Sequence, residues 1–520
     1  MTVCEGLSER YLWADCLCIV QDDPDDKRAQ IGLMASIYTA AEAVLVVASG
    51  SGMDQAIPGV SVDRQARIQC SALGLCLTES TSKKPWDLLE SSVWATRGWT
   101  YQEGILPGRK LYITDREVWF ECGETIIRED AYADAEQEKY FKTKHYRSPV
   151  SLWLGALHRS VNVPDGERPW DSYKWHLSRY TGRSLSNDRD IFNAFMGILH
   201  PLFDDYGGTT FGLPLAKFDR ALLWASLDST SPMRPGVPTW SWGSMRGPIV
   251  AAGLSSIGTL VRWSRYSESE KDLVDMSCPE DQWPGGRRGD FIKGATYLAM
   301  AWAHGILEKP CPKELDHRSV SFDELATVAT LRWPSPRDFL GEALGSVQVN
   351  SFNSFGVRKT GILCGRVQTA ILKITRGDRE YCEKDVIILD HRGDRIGFLA
   401  HLHDPTLESQ IGPGVLDCGT DGEFVALSVA THPLPEGLYI DERTQHEPGW
   451  SAERESRLER KRQEWSFFDY EGRGSYPYPI VNVMLIWTDT EGYSYRIGIG
   501  WVMMTKWAEA KRTFKNIALR

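Results

Sequence analysis

The feature that most constrains the fold is an uninterrupted apolar run at residues 44–48, Val-Leu-Val-Val-Ala. A strand without polar alternation is typical of a sheet that helices cover on both faces. A helix is predicted to precede it, beginning in the acidic cluster of residues 22–26, where carboxylates cap free N–H groups and Pro24 fits the first turn. The apolar stripe of this helix has the spacing of one helical face and consists of Ile31, Met34, Ala35, Tyr38 and Ala41.

A short strand is predicted just before this helix, at residues 11–14. Strand, helix and strand would form a βαβ unit with a right-handed crossover and with residues 44–48 at the centre of a parallel sheet. A second helix is predicted at about residues 96–106, followed by a hairpin with strands at 110–114 and 118–122. These elements predict a three-layer α/β domain.

The length of 520 residues is too great for one hydrophobic core and favours about three domains of roughly 150 residues each. Residues 1–130 are predicted to be the α/β domain. Residues 131–260 show amphipathic helical patterns and are predicted to form a helical connecting region. Residues 261–520 are predicted to form a β-rich, mostly antiparallel region with one charged helix near residues 450–465.

The composition excludes several classes of protein. A net charge of −11 argues against general nucleic-acid binding, which needs a basic surface. The 11 cysteines lack the Cys/His spacing of a zinc site, so reduced, mostly buried thiols, Cys16 and Cys18 among them, are predicted in a cytoplasmic protein without a metal centre. The first residues lack a signal-peptide pattern and no apolar run reaches about 18 residues, so neither secretion nor a membrane span is predicted.

The chain has 20 tryptophans, which imply dense aromatic cores or a grooved surface. Trp13, Trp99 and Trp119 each lie in or beside a predicted element of the first domain. They are predicted to join its sheet to its helices, so that removing the Trp99 indole would abolish folding. The alternative is that Trp99 lines a ligand groove, in which case its removal would affect function only.

Asp15 is a candidate functional carboxylate because it follows the predicted strand at residues 11–14. Ligands of open α/β sheets gather at the carboxyl ends of the strands. Asp15 is therefore either a ligand-facing carboxylate or a structural group that caps the next turn or pairs with a buried arginine.

Glu103 is the second candidate, four residues after Trp99 on the same face of the predicted helix. A carboxylate beside an indole loses hydration, which should raise its pKa. This suits acid–base chemistry, and it equally suits a structural hydrogen bond to a backbone amide. Arg97 and Gln102 are nearby donors for either role.

Two runs carry a family resemblance: residues 10–23, Arg-Tyr-Leu-Trp-Ala-Asp-Cys-Leu-Cys-Ile-Val-Gln-Asp-Asp, and residues 97–106, Arg-Gly-Trp-Thr-Tyr-Gln-Glu-Gly-Ile-Leu. Together they resemble the fungal heterokaryon incompatibility (HET) domain over about residues 10–125. Weaker similarities occur at residues 240–242, Trp-Ser-Trp, and at 482–486 and 496–500. The family usually opens with an additional strand and a Ser-Tyr-x-Trp-Gly element, which is absent here, so the domain is expected to lack its N-terminal strand.

The resemblance implies a role in nonself recognition between fungal hyphae and in programmed death of incompatible fused cells. The domain has been likened to the Toll/interleukin-1 receptor (TIR) fold, so a TIR-like or flavodoxin-like parallel sheet is expected. Some proteins of that fold cleave NAD with a helix-borne glutamate. The resemblance therefore implies Glu103 as a catalytic candidate, and as ligand-binding candidates Asp15, Gln21, Arg97, Trp99 and Gln102.

Two functions follow as hypotheses. The first is a non-enzymatic module that acts through self-association or protein partners, without a cofactor and without nucleic acid. The alternative is an NAD-cleaving hydrolase in which NAD is the substrate. Glu103 would then stabilise charge that develops at the ribose, and Asp15 would help to position the nucleotide.

Overall fold

The computed structural model describes residues 2–50, 52, 55–64, 69–72, 75–78, 85–123, 126–128, 168–228, 231–251, 256–267, 269, 272–276, 288–315, 322–333, 336–344, 352, 360–376, 386–402, 420–431 and 479–520. The chain divides into two compact units. The N-terminal unit contains Met1–Pro164 and Arg168–Asp204, and the C-terminal unit contains Asp165–Glu167 and Asp205–Arg520.

The helices of the N-terminal unit are α1 (Thr2–Gly6), α2 (Asp15–Cys18), α3 (Pro24–Ala40), α4 (Pro85–Glu90), α5 (Val93–Thr96), α6 (Thr100–Ile105), α7 (Arg168–Tyr180) and α8 (Asn193–Phe203), with a 3-10 turn at Asp188–Ile191. Helix α3 confirms the sequence prediction for its start. The Asp23 side chain accepts hydrogen bonds from the backbone N–H groups of Asp25 and Asp26, and Pro24 occupies the first turn.

The described sheet of this unit has four strands in the order β1-β4-β5-β6: β1 (Val44–Val47), β4 (Arg109–Ile113), β5 (Val118–Cys122) and β6 (Ile126–Arg128). Strands β1 and β4 pair in parallel, and the other pairs are antiparallel. The hairpin of β4 and β5 confirms the prediction.

Strands β2 (Gln69–Ala72) and β3 (Leu75–Thr78) form a separate pair. Strand β1 pairs only with β4 among the described strands, so the prediction that it lies at the centre of the sheet is wrong.

The strand predicted at residues 11–14 is also wrong. These residues have no regular structure, and Asp15 begins the one-turn helix α2 instead. The side chains of Tyr11 and Leu12 are 84% and 50% exposed. An apolar run forms a strand only where a neighbouring strand pairs with it and its side chains are covered, and neither condition holds here among the described residues.

The core beside the sheet is aromatic and contains Val46, Leu89, Trp94, Tyr112 and Trp119. Trp119 is 1% exposed and stacks on Tyr112 with ring centroids 4.9 Å apart. Its predicted place in the core is therefore confirmed. Trp13 and Trp99 are only half-buried, so they contribute less burial than the sequence predicted.

Helix α6 is fixed by hydrogen bonds to the segments that follow residue 168. The Tyr101 hydroxyl lies 2.7 Å from His176 Nδ1 of α7. Arg183 donates to the Thr100 hydroxyl at 3.1 Å, and Gln102 Nε2 donates to the Asn193 carbonyl of α8 at 2.9 Å. These buried bonds hold α6 in one position, which matters for the site described below.

The C-terminal unit contains the β-rich region that the sequence predicts. Its strands are β7 (Thr209–Thr210), β8 (Leu213–Pro214), β9 (Trp224–Ser226), β10 (Ile249–Ala251), β11 (Gly258–Thr259), β12 (Trp263–Ser267), β13 (Asp272–Asp275), β14 (Leu363–Arg376), β15 (Val386–Leu389), β16 (Arg395–Leu402), β17 (Thr420–Thr431), β18 (Pro479–Thr488), β19 (Tyr493–Met503) and β20 (Arg512–Leu519). Six of them pair in a closed ring, β14-β17-β18-β19-β16-β15, and β15 returns to β14. All six pairs in the ring are antiparallel.

Helices contribute more to this unit than the sequence predicts: α9 (Phe218–Ala221), α10 (Arg288–Ala303), α11 (Phe322–Arg332), α12 (Pro336–Ala343) and α13 (Met504–Glu509). Helices α10 to α12 pack their apolar side chains, including Trp302 and Phe339, into one core with the strands of the ring, and Trp333, directly after α11, joins the same core. The charged helix predicted near residues 450–465 lies outside the described residues.

The Trp-Ser-Trp run forms a hydrogen-bonded corner within the C-terminal unit. Trp240 Nε1 donates to the Gly361 carbonyl at 2.9 Å, and Trp242 Nε1 donates to the Gly212 carbonyl at 3.0 Å. Both indoles are almost fully buried, so each buried N–H has the partner that it needs. These contacts join the corner to distant parts of the same unit.

Among the described residues, no helix is both long enough and apolar enough to cross a membrane.

Candidate functional site

Glu103 lies in the first turn of α6, and each of its carboxylate oxygens has its own donor. Oε1 accepts a hydrogen bond from the Tyr38 hydroxyl of α3 at 3.1 Å, and Oε2 accepts one from Trp94 Nε1 of α5 at 3.0 Å. Both donors are neutral, so they fix the orientation of the carboxylate without neutralising it. Three helices therefore converge on one half-buried carboxylate.

Burial raises the pKa of Glu103, and the negative charge of Asp15 adds to this effect. The hydrogen bonds from Trp94 and Tyr38 and the positive charge of Arg97 act in the opposite direction. Burial, and then the Glu103 charge, raise the pKa of Tyr38 far above its ordinary value. The Tyr38 hydroxyl therefore remains a donor wherever Glu103 is ionised.

The wall around Tyr38 is mostly apolar and aromatic. Tyr38 is buried together with Ile19 and Met34, and the half-buried indoles of Trp13 and Trp99 pack against this group. The Trp13 and Tyr38 rings meet edge-to-face with centroids 6.1 Å apart. Low local polarity accounts for the raised pKa of Glu103, as the sequence predicted, although the indole that bonds it comes from α5.

Asp15 and Arg97 lie close enough to act on Glu103 electrostatically, but both side chains are exposed. Asp15 Oδ1 accepts a hydrogen bond from the Cys16 backbone at 2.7 Å. The Arg97 backbone carbonyl accepts a hydrogen bond from Arg183 at 3.2 Å. The structure thus brings both predicted site residues to the surroundings of Glu103, where they contribute charge.

The side chains of the two predicted amide residues both donate hydrogen bonds to backbone carbonyls. Gln21 is exposed, and its Nε2 donates to the backbone carbonyls of Asp15 and Ile19, each at 3.0 Å. Gln102 is buried and joins α6 to α8 through Asn193. Gln21 therefore braces the loop that carries Asp15, and Gln102 braces the helix that carries Glu103.

Sequence reasoning missed the two residues that bond Glu103. The sequence places Tyr38 only in the apolar stripe of α3, and it does not single out Trp94. A tyrosine on a buried helical face carries a hydroxyl that needs a partner, and that requirement was the available signal. Nothing in the spacing of Trp94 from Glu103 indicates a hydrogen bond, because α5 and α6 are separate helices.

The described residues contain no group of three or more His, Cys, Asp and Glu side chains that could hold a metal ion. Cys16 and Cys18 on α2 are exposed thiols, so the prediction that they are buried is wrong. The chemistry that the described site offers is that of an oriented carboxylate in an aromatic setting. Such a group can accept a proton or stabilise a positive charge.

Removing the Tyr38 hydroxyl is expected to raise the pKa of Glu103 further. In Tyr38→Phe the ionised carboxylate loses one of its two donors, while the burial that disfavours ionisation remains. The titration of the Glu103 carboxyl carbon, followed by carbon NMR and assigned with Glu103→Gln, would measure the shift. Tyr11→Phe, at a tyrosine that is 84% exposed, is the control. A lower or unchanged pKa in Tyr38→Phe would contradict the assignment.

Glu103 is also expected to reduce stability at neutral pH. Its folded-state pKa lies above its unfolded value, so the folded state holds the proton more tightly. Stability is then lost as pH rises from the unfolded pKa of about 4.3 through the folded pKa. Glu103→Gln cannot ionise, and its N-terminal unit should be more stable than the wild type at neutral pH. Denaturant midpoints measured against pH would test this, and a less stable variant at neutral pH would refute it.

Comparison with known proteins gives a match to a protein family. Residues 1–103 match the family model described as Heterokaryon incompatibility protein (HET). The matched segment contains all three groups of the carboxylate site, Tyr38, Trp94 and Glu103. Neither the curated proteins nor the solved structures provide a match. The chain is therefore a protein with a heterokaryon incompatibility (HET) domain at residues 1–103.

Proposed function

We propose that this protein is a fungal nonself-recognition module that triggers programmed cell death from the cytoplasm, through association with protein partners or with itself. The observation that carries the proposal is the match of residues 1–103 to the heterokaryon incompatibility family. A TIR-like or flavodoxin-like α/β architecture for this domain is proposed on the same resemblance.

Exposed apolar side chains support association. Five large ones fall within residues 7–20, with exposed fractions between 49% and 84%: Leu7, Tyr11, Leu12, Leu17 and Val20. Single exposed apolar residues are ordinary, but a concentration of them in one short segment is typical of an interaction surface. Tyr11 and Leu17 are the most exposed of the five, at 84% and 78%.

Induced expression of the full chain in a filamentous fungus tests this function. The wild type should arrest growth and reduce viability, and the double variant Tyr11→Ser/Leu17→Ser should restore both. Leu331→Ser is the matched control, because Leu331 is 80% exposed and lies outside this segment. Normal growth at confirmed high levels of wild-type protein would count against the proposal, and so would full toxicity of the double variant.

The geometry of Glu103 favours a second candidate function, hydrolysis of NAD. In this reaction the bond between the ribose and nicotinamide breaks, nicotinamide leaves with the bonding electrons, and water supplies the new oxygen on the ribose carbon. An ionised carboxylate with a fixed orientation could stabilise the positive charge that develops at the ribose. The hydrogen bonds of 3.1 and 3.0 Å supply that orientation.

Nicotinamide release from NAD by the purified full chain tests this second function. Glu103→Gln should lower the rate by about 10²-fold or more, since groups in such roles typically contribute that much. Glu9→Gln, at an exposed glutamate of the same unit, should leave the rate unchanged. Release that survives in Glu103→Gln would remove Glu103 from the role. Absence of release in every oligomeric state would reject the activity.

A further inference from the structure

Lys110 of β4 and Glu121 of β5 form a charged pair inside the N-terminal unit. Both side chains are 0% exposed, and Nζ lies 3.9 Å from Oε1. The two residues are directly opposite each other in the antiparallel register. Replacing such a pair by apolar residues is often neutral or stabilising, so stability alone does not explain two charges at this position.

The ammonium group makes its hydrogen bond to the helix that carries the functional carboxylate. Lys110 Nζ donates to the backbone carbonyl of Gly104 at 3.0 Å, and Gly104 directly follows Glu103. Because this charge-assisted hydrogen bond is made to a backbone carbonyl, it fixes the position of the main chain rather than the conformation of a single side chain. The position of the Glu103 backbone is therefore tied to Lys110.

A second path leads from the same face of the sheet to Glu103. Residues two apart on a strand share one face, so Tyr112 lies beside Lys110 and faces Trp119 across the hairpin. The Tyr112 ring meets the Trp94 indole edge-to-face, with centroids 6.5 Å apart. Trp94 is one of the two donors to Glu103. Strand β4, which carries both Lys110 and Tyr112, thus supports the backbone of Glu103 and one of its hydrogen-bond donors.

We propose that the buried Lys110–Glu121 pair positions Glu103: Lys110 anchors the Gly104 peptide, Glu121 holds Lys110 in place, and together they keep the Glu103 carboxylate in contact with Tyr38 and Trp94. The inference rests on the proposed role of Glu103 as the functional carboxylate. Lys110 and Glu121 are positioning residues, since neither makes a hydrogen bond to that carboxylate in the described structure.

The test observes Trp94 in the full-length protein labelled with 5-fluorotryptophan, using fluorine NMR. Trp94→Phe identifies its resonance. That resonance should move with pH as Glu103 ionises, and the movement should be absent in Glu103→Gln. In Lys110→Met/Glu121→Leu, which removes both charges together, looser contacts with Tyr38 and Trp94 should raise the midpoint by about half a pH unit or more.

Two further variants separate positioning from folding. Glu121→Gln keeps an oxygen beside Lys110 but removes the charge that holds the ammonium, so the midpoint should move upwards by less than in the double variant. Lys110→Gln places a side chain that is one bond shorter opposite Glu121 and should move the midpoint upwards. Lys174→Met, at a surface ion pair with Asp171 on α7, is the control and should have no effect.

A folded double variant with an unchanged Trp94 titration would overturn the proposal. Loss of the fold in both Lys110 variants, as seen by circular dichroism, would assign the pair to folding alone and would also overturn it. The readout is the ionisation of Glu103 rather than turnover, so a failure of NAD hydrolysis does not affect the result.

Discussion

Replacing Arg496 by lysine is expected to lower the free energy of unfolding of the C-terminal unit by about 4 kcal/mol, since one charge-assisted hydrogen bond and one desolvated stacking contact are lost. Arg496 is 0% exposed. Its Nη1 donates to the Leu222 carbonyl at 2.6 Å, its Nη2 donates to the Trp224 carbonyl, and its guanidinium lies 3.8 Å from the centre of the Trp224 ring. A single ammonium cannot make both bonds and also stack on the indole.

Hydrogen exchange of peptides from residues 479–503, measured by mass spectrometry, would report the effect on this unit alone. Protection should fall in Arg496→Lys. It should persist in Arg366→Lys, because Arg366 pairs with Glu308 at a site where its side chain is 45% exposed, and exposed pairs contribute about 0–1 kcal/mol. Hydrogen-exchange protection equal to that of the wild type in Arg496→Lys would mean that the buried guanidinium adds no more to the stability of this unit than a surface charge does.

Arg496 lies in a run whose family resemblance is visible in the sequence, although the sequence gives no structural reason for it. The runs at 240–242 and 496–500 each carry only a weak family resemblance, and nothing in the sequence connects the two. In the structure the Arg496 backbone N–H donates to the Thr239 hydroxyl at 3.0 Å, and Trp224 Nε1 donates to the Trp240 carbonyl at 2.9 Å. The contact is long-range and depends on side-chain geometry, which no local periodicity encodes.

Local signals were sufficient where local physics determines the structure. The capping carboxylate of Asp23, the apolar run at β1 and the alternation of β4 and β5 all predict elements that the structure contains. The strand predicted at residues 11–14 does not form, because a strand needs a neighbouring strand to pair with, and the local sequence does not show whether one is present. The sequence points to Glu103 by its position four residues after Trp99, whereas the donors Tyr38 and Trp94 come from two other helices and only the tertiary structure shows them.

Trp119→Ala is expected to lower the free energy of unfolding of the N-terminal unit by about 3–5 kcal/mol, the usual range for truncating a buried indole. Trp119 is 1% exposed and stacks on Tyr112, whose ring contacts Trp94. The free energy of unfolding of a whole domain is only about 5–15 kcal/mol. The variant should therefore unfold at much lower denaturant concentration and lose its carboxylate site together with its fold.

Trp99→Ala is the informative comparison, because the sequence assigned Trp99 to the core while the structure leaves it half-buried beside Tyr38. This variant should remain folded by circular dichroism, and any change should appear in function. Trp119→Phe, which keeps an aromatic ring against Tyr112, should lose less stability than Trp119→Ala. If Trp99→Ala unfolded the N-terminal unit as completely as Trp119→Ala, the Trp99 indole would belong to the core. The exposed part of the site would then have to be sought at Trp13, whose ring meets Tyr38 edge-to-face.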